Sequence, residues 1–169
     1  PRMGLLPSQS YGEEKYKQLE MGYPAEMVRT PTAEEMSHLS SLVEKEGSTD
    51  EDRRNIASVF FNRLNAEMPL QSNIAILYAQ GKLGEETTLA EDTNIDTSIE
   101  SPYNIYWRAG LMPGPVDSPS LSAIEAVLNA NATDYYYFVA DVTTGTVYFA
   151  NTIEEHDQNV ATYVNAHLE

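Results

Sequence analysis

The stretch from Thr32 to Gly47 constrains this chain more than any other. Thr32 and Glu35 have the spacing of a capping box, in which each side chain satisfies the other's backbone N–H. Met36, Leu39, Leu42 and Val43 follow at helical spacing, and Gly47 marks the end of the run. A helix with such a stripe must bury it against other elements. The chain has 169 residues, 41% hydrophobic and 21% charged, which suffices for one domain with a core of its own.

The rest of the chain supplies the partners. A second helix is predicted from near Asp50, with Ile56, Val59, Phe60 and Leu64 on one face. Residues 68–72 read as an extended link, after which Asn73 is predicted to cap a short helix ending at Gly81. Residues 82–100 are polar and rich in Thr and Asp, a long loop. Residues 101–119 are irregular, with prolines at 102, 113, 115 and 119. Ser118-Pro119 then predicts a helix start with Pro at the first helical position. Residues 135–140 and 146–150 read as strands joined through Val142, Thr143, Thr144 and Gly145. Thr152 and Glu155 cap a last helix. The expected class is α+β: mainly helical, with a β-hairpin or small antiparallel sheet and a long irregular middle. Residues 1–31 read as a linker or the tail of a preceding module, and 32–169 as the functional domain.

Charge and composition exclude several functions. The net charge is -16, with four lysines and six arginines clustered nowhere beyond Arg53-Arg54. Such a surface repels phosphate backbones, so neither nucleic acid nor an anionic membrane surface is an expected partner. The absence of cysteine excludes disulfides, thiolate metal sites and thiol nucleophiles. No apolar run approaches the roughly 18 residues of a membrane span, so this segment is not expected to be membrane-embedded. Eleven tyrosines against four phenylalanines and one tryptophan form an aromatic set that suits polar, sugar-like ligands and plain strands alike.

Glu46 is the leading candidate for chemistry. With about 100° of turn per residue, it falls inside the apolar stripe, between the directions of Leu39 and Leu42. Glu44 and Lys45 point elsewhere. Partial desolvation and the negative end of the helix dipole both raise the pKa of a carboxyl so placed. A protonated carboxyl near neutral pH is what a general acid for glycosidic cleavage requires. The alternative is a structural ion pair with Arg63, on the apolar side of the next helix.

Other groups carry the same two-way reading. Tyr103, Asn104 and Tyr106 stand in a Pro- and Gly-framed segment that continues through Gly110–Pro115. Tyr rings and Asn amides grip sugar hydroxyls and N-acetyl groups, and they equally make rigid packing loops. Gln71, Ser72 and Asn73 form a third polar group. His156 lacks companions at ligand spacing, as do His38 and His167, so no metal and no other cofactor is expected. It reads as a hydrogen-bonded structural residue.

Seven segments together resemble the YceG-like family: 39–46, 57–64, 68–71, 101–106, 110–115, 137–141 and 154–156. They occur in the family's order, span about residues 32–165, and are most similar to its Gram-positive branch. The resemblance implies a peptidoglycan lytic transglycosylase that cuts glycan strands endolytically, a lyase that leaves 1,6-anhydro ends. It implies that Glu46, second Glu of a Glu-Lys-Glu motif, is the catalytic acid/base, and that Gln71, Ser72, Tyr103, Asn104 and Tyr106 line the groove. It implies an extracytoplasmic location with an N-terminal membrane anchor, a LysM-like module, and cell-wall synthases as partners. Asn73-Ile74 departs from the Asp-Pro that many relatives carry there. A lyase activity dependent on pyridoxal phosphate, also ascribed to the family, finds no suitable lysine among Lys15, Lys17, Lys45 and Lys82.

The implied reaction needs one enzymic carboxylate, because the substrate's own 6-hydroxyl is the nucleophile. Ordinary hydrolysis uses two carboxylates in fixed relation. Glu44 lies too far round the helix to be the second, which leaves Asp92, Asp96, Asp117 and Asp141 open. The competing expectations are a hydrolase of the same substrate and a non-catalytic wall-binding module.

Overall fold

A computed structural model describes residues 31–83, 95–141 and 143–165. The elements in order are α1 (Ala33–Glu46), α2 (Asp50–Asn65), α3 (Asn73–Ala79), α4 (Leu121–Leu128), β1 (Tyr137–Ala140), β2 (Val147–Ala150) and α5 (Ile153–Asn159). A π-helical turn, Val160–Val164, continues α5. The fold is α+β, as expected. The segment 1–30, most of the loop at 84–94, and Val142 of the hairpin connection lie outside the described residues.

The capping box forms. The Thr32 hydroxyl accepts from the Glu35 N–H at 3.1 Å, and the Glu35 carboxylate accepts from the Thr32 N–H at 3.0 Å. The helix it starts packs against both α2 and α4. Leu39, Leu42 and Val43 of α1 meet Ile56, Ala57 and Phe60 of α2 and Ala123 and Val127 of α4 in one core. Ile105, Met112 and Val116 join them, so the irregular middle also belongs to the core.

That middle is held by side chains because it has no repeating ladder. Ser41 on α1 donates to His38 O at 2.7 Å and accepts the Val116 N–H at 3.1 Å. Asn62 on α2 donates to the carbonyls of Thr133 and Tyr135, each at 2.9 Å. Buried backbone groups need such partners wherever secondary structure does not supply them.

β1 and β2 pair antiparallel, Tyr137 opposite Ala150 and Ala140 opposite Val147. The ladder starts two residues later than the expected 135, because Asn62 and Arg63 side chains draw off the carbonyls of Tyr135 and Tyr136. Asp141 turns the chain back: its N–H donates to Thr146 O at 2.8 Å and its carboxylate accepts the Thr143 N–H at 2.9 Å. Gly145 takes φ +76°, where a side chain would be strained.

Two helix starts differ from expectation. Ser72, not Asn73, caps α3, its hydroxyl accepting the Ile74 N–H. Ser120 caps α4, with Pro119 before the cap rather than inside the helix. The Ser120 hydroxyl accepts the Ala123 N–H at 3.3 Å, and its own N–H is taken by the Glu44 carboxylate at 2.8 Å.

Candidate active site

Glu46 is the last residue of α1 and is half-buried. Its Oε1 accepts the hydroxyl hydrogen of Ser72 at 2.7 Å. Ser72 is 2% exposed, so this bond is shielded from water at the serine side. One hydroxyl therefore both starts α3 and holds the carboxylate, coupling the end of one helix to the start of another.

The chain reaches Ser72 through two left-handed residues. Glu67, at φ +55°, closes α2 in a Schellman arrangement: Met68 N–H donates to Arg63 O at 2.9 Å and Glu67 N–H to Leu64 O at 3.2 Å. Gln71 takes φ +57°, which costs a residue with a side chain about 1–2 kcal/mol. Its N–H donates to Ile105 O at 3.1 Å, and its side-chain oxygen accepts from Arg63 at 3.4 Å. Strain held in place beside a polar site favours a functional reading of it.

Arg63 does not serve as the ion-pair partner of Glu46. Its guanidinium donates to Tyr136 O at 2.6 Å, Pro69 O at 2.7 Å and the Gln71 side chain. It also lies 4.9 Å from the centre of the Tyr137 ring. Burial lowers its pKa. Its bonds fix the 69–71 link to β1.

The first Glu of the Glu-Lys-Glu run does different work. Glu44 accepts the Ser120 N–H at α4 and lies 3.7 Å from the Arg53 guanidinium. The bonds from Ser120 hold its carboxyl below the ordinary value, and Arg53 adds to this. Arg53 donates to Gly47 O at 2.9 Å and to the Ser122 hydroxyl at 2.8 Å, and Ser122 donates to Asp50. This latch fixes the turn just after Glu46. A side chain at Gly47 would meet Ile56 Cδ1 at 2.9 Å and Arg53 Cγ at 3.0 Å, so glycine is needed there for closeness, its φ being an ordinary -126°.

Other acids are similarly committed. Lys45 pairs with Asp117 at 3.3 Å, Asp96 accepts from Ser98, and Asp141 shapes the hairpin. Asp92 lies outside the described residues. Among the described residues no group of three His, Cys, Asp or Glu side chains could hold a metal ion, and no helix is long and apolar enough to cross a membrane.

The expected groove residues divide. Gln71 is exposed beside Ser72 and Glu46. Tyr106 is half-buried, and its hydroxyl donates to the Asn73 side chain, the residue after Ser72. Asn104 is 2% exposed and faces inward: its amide N–H groups go to Thr97 O and Ile99 O, and its oxygen accepts the Tyr106 N–H. Tyr103 packs on Tyr78 of α3, ring centres 4.7 Å apart, and its hydroxyl is where a Gly114 side chain would stand. Burial and Tyr78 raise its pKa. Thus 101–106 and 71–73 form one bonded unit around Ser72.

His156 stacks on Tyr137 at 5.3 Å, and burial lowers its pKa. Among the described residues its buried Nδ1 has no hydrogen-bond partner, so the packing on Tyr137, rather than the expected hydrogen bond, holds it. A cavity of about 620 Å³ lies toward the other end of α1, lined by Thr32, His38, Leu64 and Met112. Sequence reasoning missed the Arg53 latch, because a charged pair at a helix start looks like any solvated surface.

The family model for the YceG-like family matches residues 8–162. The chain belongs to the YceG-like family. The match begins inside the stretch set apart above as a linker. A protein of Streptococcus pneumoniae named endolytic murein transglycosylase is 60% identical over 152 residues, 90% of this chain and 28% of that protein. One of the same name from Bacillus subtilis is 39% identical over 145 residues, 85% of the chain and 39% of that protein. The crystal structure of a yceG-like protein of Listeria monocytogenes superposes with a TM-score of 0.66 at 36% identity, covering 88% of this chain and 44% of that one. The chain thus spans between about a quarter and two fifths of the length of these curated relatives.

Proposed function

We propose that this YceG-like domain, residues 32–169, is the catalytic unit of an endolytic peptidoglycan transglycosylase with Glu46 as its acid and base. The observation that carries this is the contrast at the end of α1. Glu46 presents a half-buried carboxylate to the Ser72 hydroxyl at the start of α3, while Glu44 and Asp117 face Ser120, Arg53 and Lys45. The names of the relatives in Streptococcus pneumoniae and Bacillus subtilis support the substrate class.

In this mechanism protonated Glu46 donates to the oxygen joining N-acetylmuramic acid to the next N-acetylglucosamine. The C1–O bond breaks and positive charge develops at C1. Glu46, now a carboxylate, takes the proton of the sugar's own 6-hydroxyl, whose oxygen closes the 1,6-anhydro ring. One proton leaves with the departing sugar and another is taken from the 6-hydroxyl, so Glu46 ends protonated. Ser72 steadies the carboxylate form between the two transfers. Gln71 and Tyr106 flank the substrate as groove residues. Tyr103 and Asn104 support the groove from beneath.

The domain would then stand on the extracytoplasmic face of the membrane, carried by an N-terminal membrane helix of a longer protein. Wall synthases would supply its nascent strands. Mass spectrometry of glycan strands treated with the protein tests the chemistry. Products ending in 1,6-anhydro-N-acetylmuramic acid are expected. Reducing ends alone would instead make it a hydrolase, and intact strands a binding module.

A further inference from the structure

Trp107 is 59% exposed, although tryptophan is among the most buried residues on average. It is the only tryptophan in the chain. The residues on either side of it are bonded, Tyr106 through its backbone and side chain and Arg108 through its side chain. Tyr106 N–H donates to the Asn104 side chain at 3.1 Å, Tyr106 OH donates to Asn73, and Arg108 donates to Pro102 O. An indole on so braced a loop is displayed rather than left over.

The loop is also the one joined to the catalytic acid. Gln71 N–H bonds Ile105 O, and Tyr106 bonds Asn73, the neighbour of the Ser72 that holds Glu46. Trp107 is therefore one Cα–Cα step of about 3.8 Å from a residue bonded to the site.

We infer that Trp107 is a stacking platform for one pyranose ring of a β-1,4-linked N-acetylhexosamine chain, beside the bond presented to Glu46. This rests on the glycan-cleaving reading above and goes beyond it. A β-1,4-linked pyranose carries its substituents around the ring edge and exposes flat C–H faces. The indole face is electron-rich and apolar, and it attracts those C–H groups while the hydroxyls stay in water. The braced loop lowers the ordering cost of such binding. A second pair of rings, Tyr78 (40% exposed) and Tyr103, lies on the same two segments. Tyr78 stands six residues past Ser72, about 9 Å along α3, which suits a strand that extends past a single sugar.

The single tryptophan makes the test direct. Emission of the Glu46→Gln protein is titrated with a β-1,4-linked N-acetylglucosamine hexamer, with maltohexaose as control and calorimetry as an independent measure of binding. A saturable emission change with the first sugar alone is expected. Kinetically, Trp107→Ala should raise KM for glycan strands about tenfold with kcat within about threefold, and Trp107→Tyr should recover part of that. Unchanged emission while calorimetry records binding, or an unchanged KM in Trp107→Ala, overturns the platform and leaves the catalytic reading standing. A wild-type protein that neither binds nor cuts glycan overturns both.

Discussion

Glu44 and Glu46 belong to one helix and one motif, two positions apart, yet they face different partners. Two steps of a helix turn a side chain by about 200°. Glu44 is thereby carried to the α4 side, where Ser120 and Arg53 consume its charge. Glu46 is carried to the α3 side, where the Ser72 hydroxyl meets it. The difference teaches that phase alone, at one helix end, can send two carboxylates of one motif to different partners. The Arg53 latch then fixes the turn just after Glu46.

Substitutions that leave Glu46 in place sharpen this contrast, and they rank by size. Gly47→Val should cost about 3 kcal/mol by overpacking against Ile56 and Arg53, read as a shift of the denaturation midpoint. Ser72→Ala removes a helix cap and the donor to Glu46, about 1–2 kcal/mol. It should also lower kcat, since the carboxylate form loses its support, and retention of full activity would break the Ser72–Glu46 link.

Glu44→Ala should cost about 1 kcal/mol with kcat little changed. The pH dependence has a definite sign. The folded-state pKa of Glu44 is depressed below its ordinary 4.5, so its stabilisation is present above that value and lost as pH falls through the folded pKa. Acid titrations of stability should therefore be shallower in Glu44→Gln than in the wild type. Lys45→Ala, at an exposed pair with Asp117, should change stability by less than about 0.5 kcal/mol. A large effect there would mean that the turn is held differently.

Local signals were the ones legible in the sequence. The capping box at Thr32, the apolar stripe of α1 and the hairpin turn are set by residues three or four apart, and they stand as expected at Thr32, Leu39 and Gly145. Bonds made from afar were not legible. Ser120, the cap of α4, is also held by Glu44 across 76 positions, and no local pattern announces that bond. The end of α2 carries Glu67 in a left-handed conformation where glycine is the usual sign. Helical phase singled out Glu46, but its bond to Ser72 joins residues 26 apart and emerges only once α3 is packed. Asn104 looked like a ligand-gripping amide, and its bonds to Thr97 and Ile99 show the loop using it internally.

The most direct test compares Glu46→Gln and Glu44→Gln in one assay, counting 1,6-anhydro ends released from purified glycan strands after both proteins are shown to be folded. Loss of a general acid costs about 10²–10⁴-fold. The division of labour predicts a loss of that size for Glu46→Gln and a change within about threefold for Glu44→Gln. Equal losses in the two variants, or normal cleavage by Glu46→Gln, would contradict it.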